Sequence, residues 1–211
     1  MPTIECTPNG PYLVKNLKDL RSSRGDGLPT TPVIALCRCG GSANKPFCDG
    51  THKRNGFSSA RLSDGSAERR DDYRGRRITI HDNRALCAHA GHCTEGLPAV
   101  FKYGSEPWID SDGADAEAVI ETIRKCPSGA LSYSIDGVEP SGSARPPAIT
   151  VTEAGPYAVV GAVQVVGEQR AQGAPMEHYT LCRCGASKNK PFCDGTHWSV
   201  GFTDAGLGGR R

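Results

Sequence analysis

The sequence predicts a small, strand-rich α+β protein built from two copies of one short unit with a third, unrelated unit between them. Three observations carry that prediction. The string Cys-x-Cys-x2-Ser-x3-Pro-x-Cys-Asp-Gly-Thr-His occurs at Cys37–His52 and again at Cys182–His197, and the two occurrences differ only at Gly41/Ala186 and Ala43/Lys188. The same offset of 145 residues brings Gly10-Pro11-Tyr12 onto Gly155-Pro156-Tyr157 and Gly56-Phe57 onto Gly201-Phe202, so the repeat is a whole unit and not a bare motif. Finally, 26 glycines and 15 prolines in 211 residues describe tightly turned backbone more than long helices.

The elements follow in order. The first copy spans residues 2–60, opens with the apolar strand Tyr12-Leu13-Val14 and enters the repeated string through Pro32-Val33-Ile34-Ala35-Leu36. Residues 61–77 are almost devoid of apolar side chains and read as a solvated, charged connector. Its arginines are interleaved with Asp64, Glu68, Asp71 and Asp72, which argues against a nucleic-acid surface. The middle unit, 78–136, begins with the strand Ile78-Thr79-Ile80. Asp115–Lys125 reads as a helix with Ala118, Val119, Ile120 and Ile123 near one face, an acidic start and a basic end. Leu131–Ile135 alternates as a strand before the turn at Asp136-Gly137. A Pro/Gly/Ser linker, 137–148, leads to the second copy, 149–205, with Ile149-Thr150-Val151 and the apolar run Tyr157–Val166.

Charge divides the chain the same way: residues 1–77 sum to +6, 78–140 to −6 and 141–211 to +2. An acidic middle unit suits docking to a basic partner. Residues 1–20 hold no apolar leader and no later stretch is long enough to span a membrane, so a reducing cytoplasmic setting is expected. Nine of the ten cysteines fall into groups of three: 37/39/48, 87/93/126 and 182/184/193. Threes suit metal ligation better than disulfides. Cys6 is left over, aligns with Val151 and reads as a small apolar filler.

In Cys37-Arg38-Cys39 the i, i+2 spacing on extended backbone turns both thiols the same way, able to grip one metal. Cys48 and His52 are i and i+4, sharing a face if the turn is helical, with Asp49 as its N-cap. Cys182, Cys184, Cys193 and His197 repeat the set. Three thiolates and an imidazole also suit tetrahedral zinc, an alternative that spacing alone leaves open. An imidazole ligand makes such a site acid-labile, because a protonated ring nitrogen cannot bind metal.

With these residues in view, both segments resemble the CDGSH, or NEET, family, whose members bind [2Fe-2S] clusters through three cysteines and one histidine. The resemblance implies Cys37 and Cys39 on an inner iron and Cys48 and His52 on an outer, more exposed one. Likewise it places Cys182 and Cys184, then Cys193 and His197, in the second site. Thr51 and Thr196 stand where the family name has Ser, and Asp49/Asp194 and Ser42/Ser187 are expected to bond backbone amides around the cage. In that family the domains pair about a two-fold axis under a β-rich cap. The two copies are therefore expected to pack against each other within one chain as an internal pseudo-dimer, the protein acting as a monomer.

The middle unit carries Cys87-Ala-His-Ala-Gly-His-Cys93 and then Cys126-Pro127-Ser128-Gly129-Ala130-Leu131. It is similar to divergent single-cluster ferredoxins, with Ala90 where the middle cysteine of a Cys-x2-Cys-x2-Cys run would stand. Three thiolates suggest a [3Fe-4S] cluster. A [4Fe-4S] cluster is the alternative and needs another ligand, from His89, His92 or outside; a zinc knuckle from Cys87, His92, Cys93 and Cys126 is a third. No nucleophile elbow, phosphate loop or dinucleotide fingerprint is present, which disfavours an enzyme. The expected function is multi-cluster electron transfer with an unidentified redox partner protein. The alternatives are sensing, storage or transfer of [2Fe-2S] clusters, and a zinc-stabilised interaction module.

Overall fold

The computed structural model describes residues 1–63, 69–140, 145–168, 174–175 and 177–208. It is small and strand-rich, with short helices and three sheets among the described residues. The first copy contributes β1 (Thr3–Cys6), β2 (Tyr12–Lys15), β3 (Leu20–Arg21) and β4 (Val33–Leu36), then a 3-10 turn at Thr51–Lys53. The middle unit contributes β5 (Arg70–Arg74), β6 (Thr79–Asn83), α1 (His92–Gly96), α2 (Ala116–Arg124) and β7 (Leu131–Ser134). The second copy contributes β8 (Ala148–Val151), β9 (Tyr157–Val160), β10 (Gln164–Val166), β11 (His178–Leu181) and α3 (Thr196–Ser199).

The offset of 145 residues carries β1, β2 and β4 onto β8, β9 and β11 end for end. Register is kept as well: Ile4 faces Val14 and Ile149 faces Val159. Both sheets complete themselves with a strand from the other copy. One runs β10-β1-β2-β4 and the other β11-β9-β8-β3, the borrowed strand lying parallel to its neighbour in each. Ile4, Val14, Ile34 and Leu36 from one copy share a single core with Ile149, Val159, Val165 and Leu181 from the other. Alternation puts these side chains on one face of each short strand, and only face-to-face burial between copies takes that face out of water.

Polar contacts cross in both directions. The buried Tyr12 hydroxyl lies 2.9 Å from the carbonyl oxygens of Cys182 and Pro191, and the Tyr157 hydroxyl lies 2.8 Å and 3.0 Å from those of Cys37 and Pro46. Burial drives both phenols well above their ordinary pKa, so each stays a donor. Backbone comes equally close. A methyl on Gly40 would sit 2.4 Å from the Cys184 carbonyl oxygen, and one on Gly185 2.7 Å from that of Cys39. Glycine is the residue that fits there. Tyr157→Phe is expected to lower stability by about 1–2 kcal/mol by leaving cross-copy carbonyls without their donor, read as a shifted urea midpoint. An unchanged midpoint would mean that water replaces the hydroxyl without loss.

The middle unit is a three-stranded antiparallel sheet, β5-β6-β7, backed by α2. Asp115 caps α2 by accepting from the Ala118 amide at 2.8 Å, and Lys125 ends it. The buried face is Ala116, Val119, Thr122 and Ile123, one position rotated from the expected stripe, with Ala118 and Ile120 only half-buried. Val119 and Ile123 pack with Ile80, Val100, Phe101 and Tyr133. The turn at Asp136-Gly137 has positive φ at both residues, 51° and 77°.

Part of the expected connector is structured. Residues 64–68 lie outside the described residues, but Arg70–Arg74 pairs with β6 along its whole length. It is an edge strand whose alternate residues Arg70, Asp72 and Arg74 face out, with Arg70 bridged to Glu139 at 2.6 Å. An edge strand needs one paired neighbour and water, and charged side chains keep it from pairing further, so it lacks the apolar signature of a strand. Of the expected 137–148 linker, residues 141–144 also lie outside the described residues, and Ala148 is already in β8.

Candidate metal centres

Each repeated string forms an open cage whose shape is set by backbone pairing. In the first copy β4 delivers Cys37, whose amide donates to the Pro46 carbonyl at 2.7 Å, while the Cys48 amide donates to Ala35 at 2.8 Å. The second copy repeats this: Cys182 to Pro191 at 2.8 Å and Cys193 to Thr180 at 3.0 Å. Ser42 donates to the Phe47 carbonyl at 2.7 Å and accepts from the Asn44 amide at 3.0 Å; Ser187 does the same with Phe192 and Asn189, at 2.7 Å and 3.1 Å.

The aspartates tie the loop to the turn that follows. Asp49 accepts from the amides of Ala43 and Thr51 at 2.8 Å and 2.9 Å, and Asp194 from those of Lys188 and Thr196 at 2.8 Å and 3.0 Å. Hydrogen bonds from the Thr51 side chain and amide hold the Asp49 carboxyl well below its usual range. At Asp194 burial pushes upward, and the hydroxyl and amide of Thr196 more than offset it. The residue that caps the turn is Gly50 in the first copy and Gly195 in the second, both left-handed with φ 86° and 82°, so the aspartates act from one position before the cap.

Within each cage the candidate ligands stand in pairs. Cys37 Sγ and Cys39 Sγ are 3.9 Å apart, Cys182 Sγ and Cys184 Sγ 3.8 Å. Cys48 Sγ lies 3.4 Å from His52 Nδ1 and Cys193 Sγ 3.5 Å from His197 Nδ1. Two thiolates bound to one tetrahedral metal at about 2.3 Å stand about 3.8 Å apart, and a thiolate and an imidazole about 3.5 Å. Each pair therefore has the span of one edge of a metal's coordination shell. Among the described residues no three His, Cys, Asp or Glu side chains converge on one ion. The donor set suits two metals, each held by one edge, better than one metal held by all four.

The sulfurs also show what a metal must displace. Burial pushes the Cys37 thiol up to about 11 and the Cys193 thiol to about 12, whereas the neighbouring Cys182 thiol draws Cys184 down to about 6. Loading such a site releases protons.

Identical strings do not give identical surroundings. Cys48 and His52 are half-exposed, while Cys193 and His197 are buried, at 3% and 5% exposure. The expectation of an exposed outer pair thus holds in the first copy and fails in the second. There, the middle unit and its connector cover the cage: the amides of Leu62 and Ser63 donate to Lys188, and the His89 ring stacks against Gly195.

Sequence reasoning passed over the arginine inside each Cys-Arg-Cys. Arg183 is fully buried over the rings of Tyr157 and Phe202, donates to the Gly155 and Thr152 carbonyls and pairs with Asp204. Arg38 lies over Tyr12 and Phe57, but the residue 145 positions before Asp204 is Ser59, which bonds Asn9 instead. The repeated Arg was the available signal. Cys6 behaves as the sequence suggests, half-buried against the shared core.

In the middle unit Cys87 follows a 3-10 turn at Arg84–Leu86, Cys93 lies in α1 and Cys126 follows α2. All three line one cleft of about 900 Å³, together with Arg84, Lys102 and Trp108. Burial raises Cys87 to about 11, and the neighbouring Cys126 and Cys93 add to the rise. The His89 amide donates to Cys87 Sγ at 3.4 Å, and Ser128 Oγ stands 3.7 Å from Cys126 Sγ. His89, Ala90 and His92, the last opening α1, are all exposed, and the His89 ring lies against Gly195 of the second cage. Three sulfurs around one cleft fit a multi-iron cluster that takes one thiolate per iron.

Comparison with known proteins agrees with this division. Residues 9–53 and 154–198 match the family described as "Iron-binding zinc finger CDGSH type", and residues 73–136 match "Divergent 4Fe-4S mono-cluster". "Uncharacterized protein YjdI" of Escherichia coli strain K12 is 41% identical over 61 residues, covering 29% of this chain and 80% of that protein. The protein of the same name from Escherichia coli O157:H7 matches with the same identity and coverage. No solved structure matches significantly. Among the described residues no helix is long and apolar enough to cross a membrane.

Proposed function

Because the chain belongs to the CDGSH iron-binding family, with a divergent 4Fe-4S mono-cluster module set between its two copies, we propose that it is an electron carrier with three iron–sulfur sites. Cys37, Cys39, Cys48 and His52 hold one [2Fe-2S] cluster, and Cys182, Cys184, Cys193 and His197 hold a second. Cys87, Cys93 and Cys126 hold a [3Fe-4S] cluster, or a [4Fe-4S] cluster with one iron lacking a protein thiolate. When bound, such clusters supply one-electron redox chemistry. The protein residues fix their positions, exclude water on one side and donate hydrogen bonds to the sulfurs.

The observation that carries this reading is the pairing of donors at 3.8–3.9 Å and 3.4–3.5 Å in both cages. Structural zinc calls for four donors around one ion, and among the described residues no three such side chains converge on one ion. The exchanged strands and reciprocal tyrosine bonds support an internal pseudo-dimer that works as a monomer. The grouping of nine cysteines in threes, which suits metal ligation better than disulfides, supports a reducing, cytoplasmic setting in which the protein would serve a redox partner protein. Cluster sensing or transfer is the second reading, favoured by the half-exposed Cys48 and His52 of the first cage.

Iron and acid-labile sulfide counting with low-temperature EPR on anaerobically purified protein tests the assignment. Seven irons, with a signal in the oxidised state, match two [2Fe-2S] and one [3Fe-4S]; eight, with the third signal appearing on reduction, match [4Fe-4S]. Zinc without sulfide would overturn it.

A further inference from the structure

The middle unit touches the two cages unequally, and one residue makes most of the difference. His89 sits two positions after Cys87 with φ 53°, a left-handed conformation uncommon outside glycine. Its amide donates to Cys87 Sγ, its carbonyl accepts from Trp198 Nε1 at 2.9 Å, and its ring lies so close to Gly195 that a methyl there would stand 2.4 Å from its Cδ2. Gly195 lies two positions after Cys193, whose thiol pKa a backbone hydrogen bond from Gly195 lowers, as the Gly50 amide donates to Cys48 Sγ at 3.4 Å in the first cage. One histidine and one glycine thus span from a sulfur of the middle unit to a sulfur of the second cage. A further close contact joins the units behind them, where a methyl on Gly129 would stand 2.0 Å from Pro175.

Among the described residues the first cage has nothing of this kind. Trp198 corresponds to Lys53, which is exposed, and a methyl on Gly50 would meet nothing within 4 Å.

Taking the three sites as cluster sites, we propose that His89, Gly195 and Trp198 form a docking bridge that holds the three-cysteine site and the second cage as a coupled pair, a bridge to the middle unit that the first cage lacks. His89 and Trp198 are positioning residues, acting through the loop they fix. The close approach of the His89 ring to Gly195 brings the loop of Cys87 against the turn that follows Cys193, although His89 and Trp198 themselves are exposed. The middle unit has an unequal relation to two chemically equal cages, so the pair differ in function although their ligands do not.

Gly50 and Gly195 provide a matched control. Both have left-handed backbone, so alanine costs each about 1 kcal/mol of strain, but only at Gly195 does it strike His89. The experiment is pulsed EPR relaxation of the [2Fe-2S] signal in the fully reduced, loaded protein, where the third cluster is paramagnetic at either nuclearity. Native protein and Gly50→Ala should show two equal populations, one relaxing at least tenfold faster. Gly195→Ala should slow the fast population severalfold, and Trp198→Lys, which puts the first copy's residue in the second, should do the same if Gly195→Ala fails to load. Equal relaxation of both populations in the native protein, or a fast population untouched by Gly195→Ala or Trp198→Lys, overturns the bridge while iron and sulfide counts still uphold the three-cluster reading. Counts that lack the clusters overturn both.

Discussion

Acidifying the loaded protein is expected to bleach its visible absorption in two steps, the first cage going before the second. In each cage one of the proposed ligands is a neutral imidazole, which would leave the metal once its ring nitrogen is protonated. His197 is buried, and burial holds its pKa below the ordinary value, helped by the positive charges of His89 and Arg183 and opposed by Asp194. A lowered histidine pKa means that the neutral, metal-binding form persists to lower pH. The second cage therefore keeps its ligand in acid that already strips the half-exposed Cys48 and His52. At a fixed acid pH the two loss rates should differ on the order of tenfold, the scale of burying one charge partly out of water. His52→Cys should remove the early step and His197→Cys the late one. A single step in the native protein, or early loss that survives His52→Cys, would show that exposure does not govern release.

Asp204→Asn should destabilise the protein by about 2–4 kcal/mol and raise the potential of the second cage. Arg183 is fully buried inside Cys182-Arg183-Cys184, and Asp204, itself 22% exposed, is its only carboxylate among the described ion pairs. Removing one partner of a buried pair strands the other charge, a cost of about 3–5 kcal/mol that the exposure of Asp204 reduces. For a chain of this length that is a fall of roughly 5–15 °C in Tm. The stranded guanidinium favours the electron-rich state of whatever lies beside it, and each ~1 kcal/mol is about 40 mV for one electron. A thermal melt and a redox titration read both effects. An unaltered midpoint potential would mean that Arg183 is screened from the cage, and an unaltered Tm that its two carbonyl acceptors suffice.

Much of this was legible in the residues. The spacing from Cys37 to His52 named the donor pairs, and the apolar runs marked β2, β4, β8 and β9, while β1 went unmarked in the first copy. Asp115 marked the start of α2 because a capping carboxylate acts locally. What escaped was made by contacts distant in sequence. The two residues of β3 are too short to show any periodicity, and their pairing with β8 is decided by the other copy. Arg70–Arg74 lacks the apolar pattern because water satisfies its outer edge. The different burial of His52 and His197 cannot be read from two identical strings. Its trace lies one residue on, where Lys53 in one copy answers to Trp198 in the other.

The borrowed strands carry a further consequence. In two separate chains, β3 and β10 would cross only by association, so each cage's neighbour would depend on protein concentration and be lost on dilution. Joined through the middle unit, each strand meets its acceptor at an effective concentration fixed by the connecting chain. Assembly is then first order, indifferent to how little protein a cell makes.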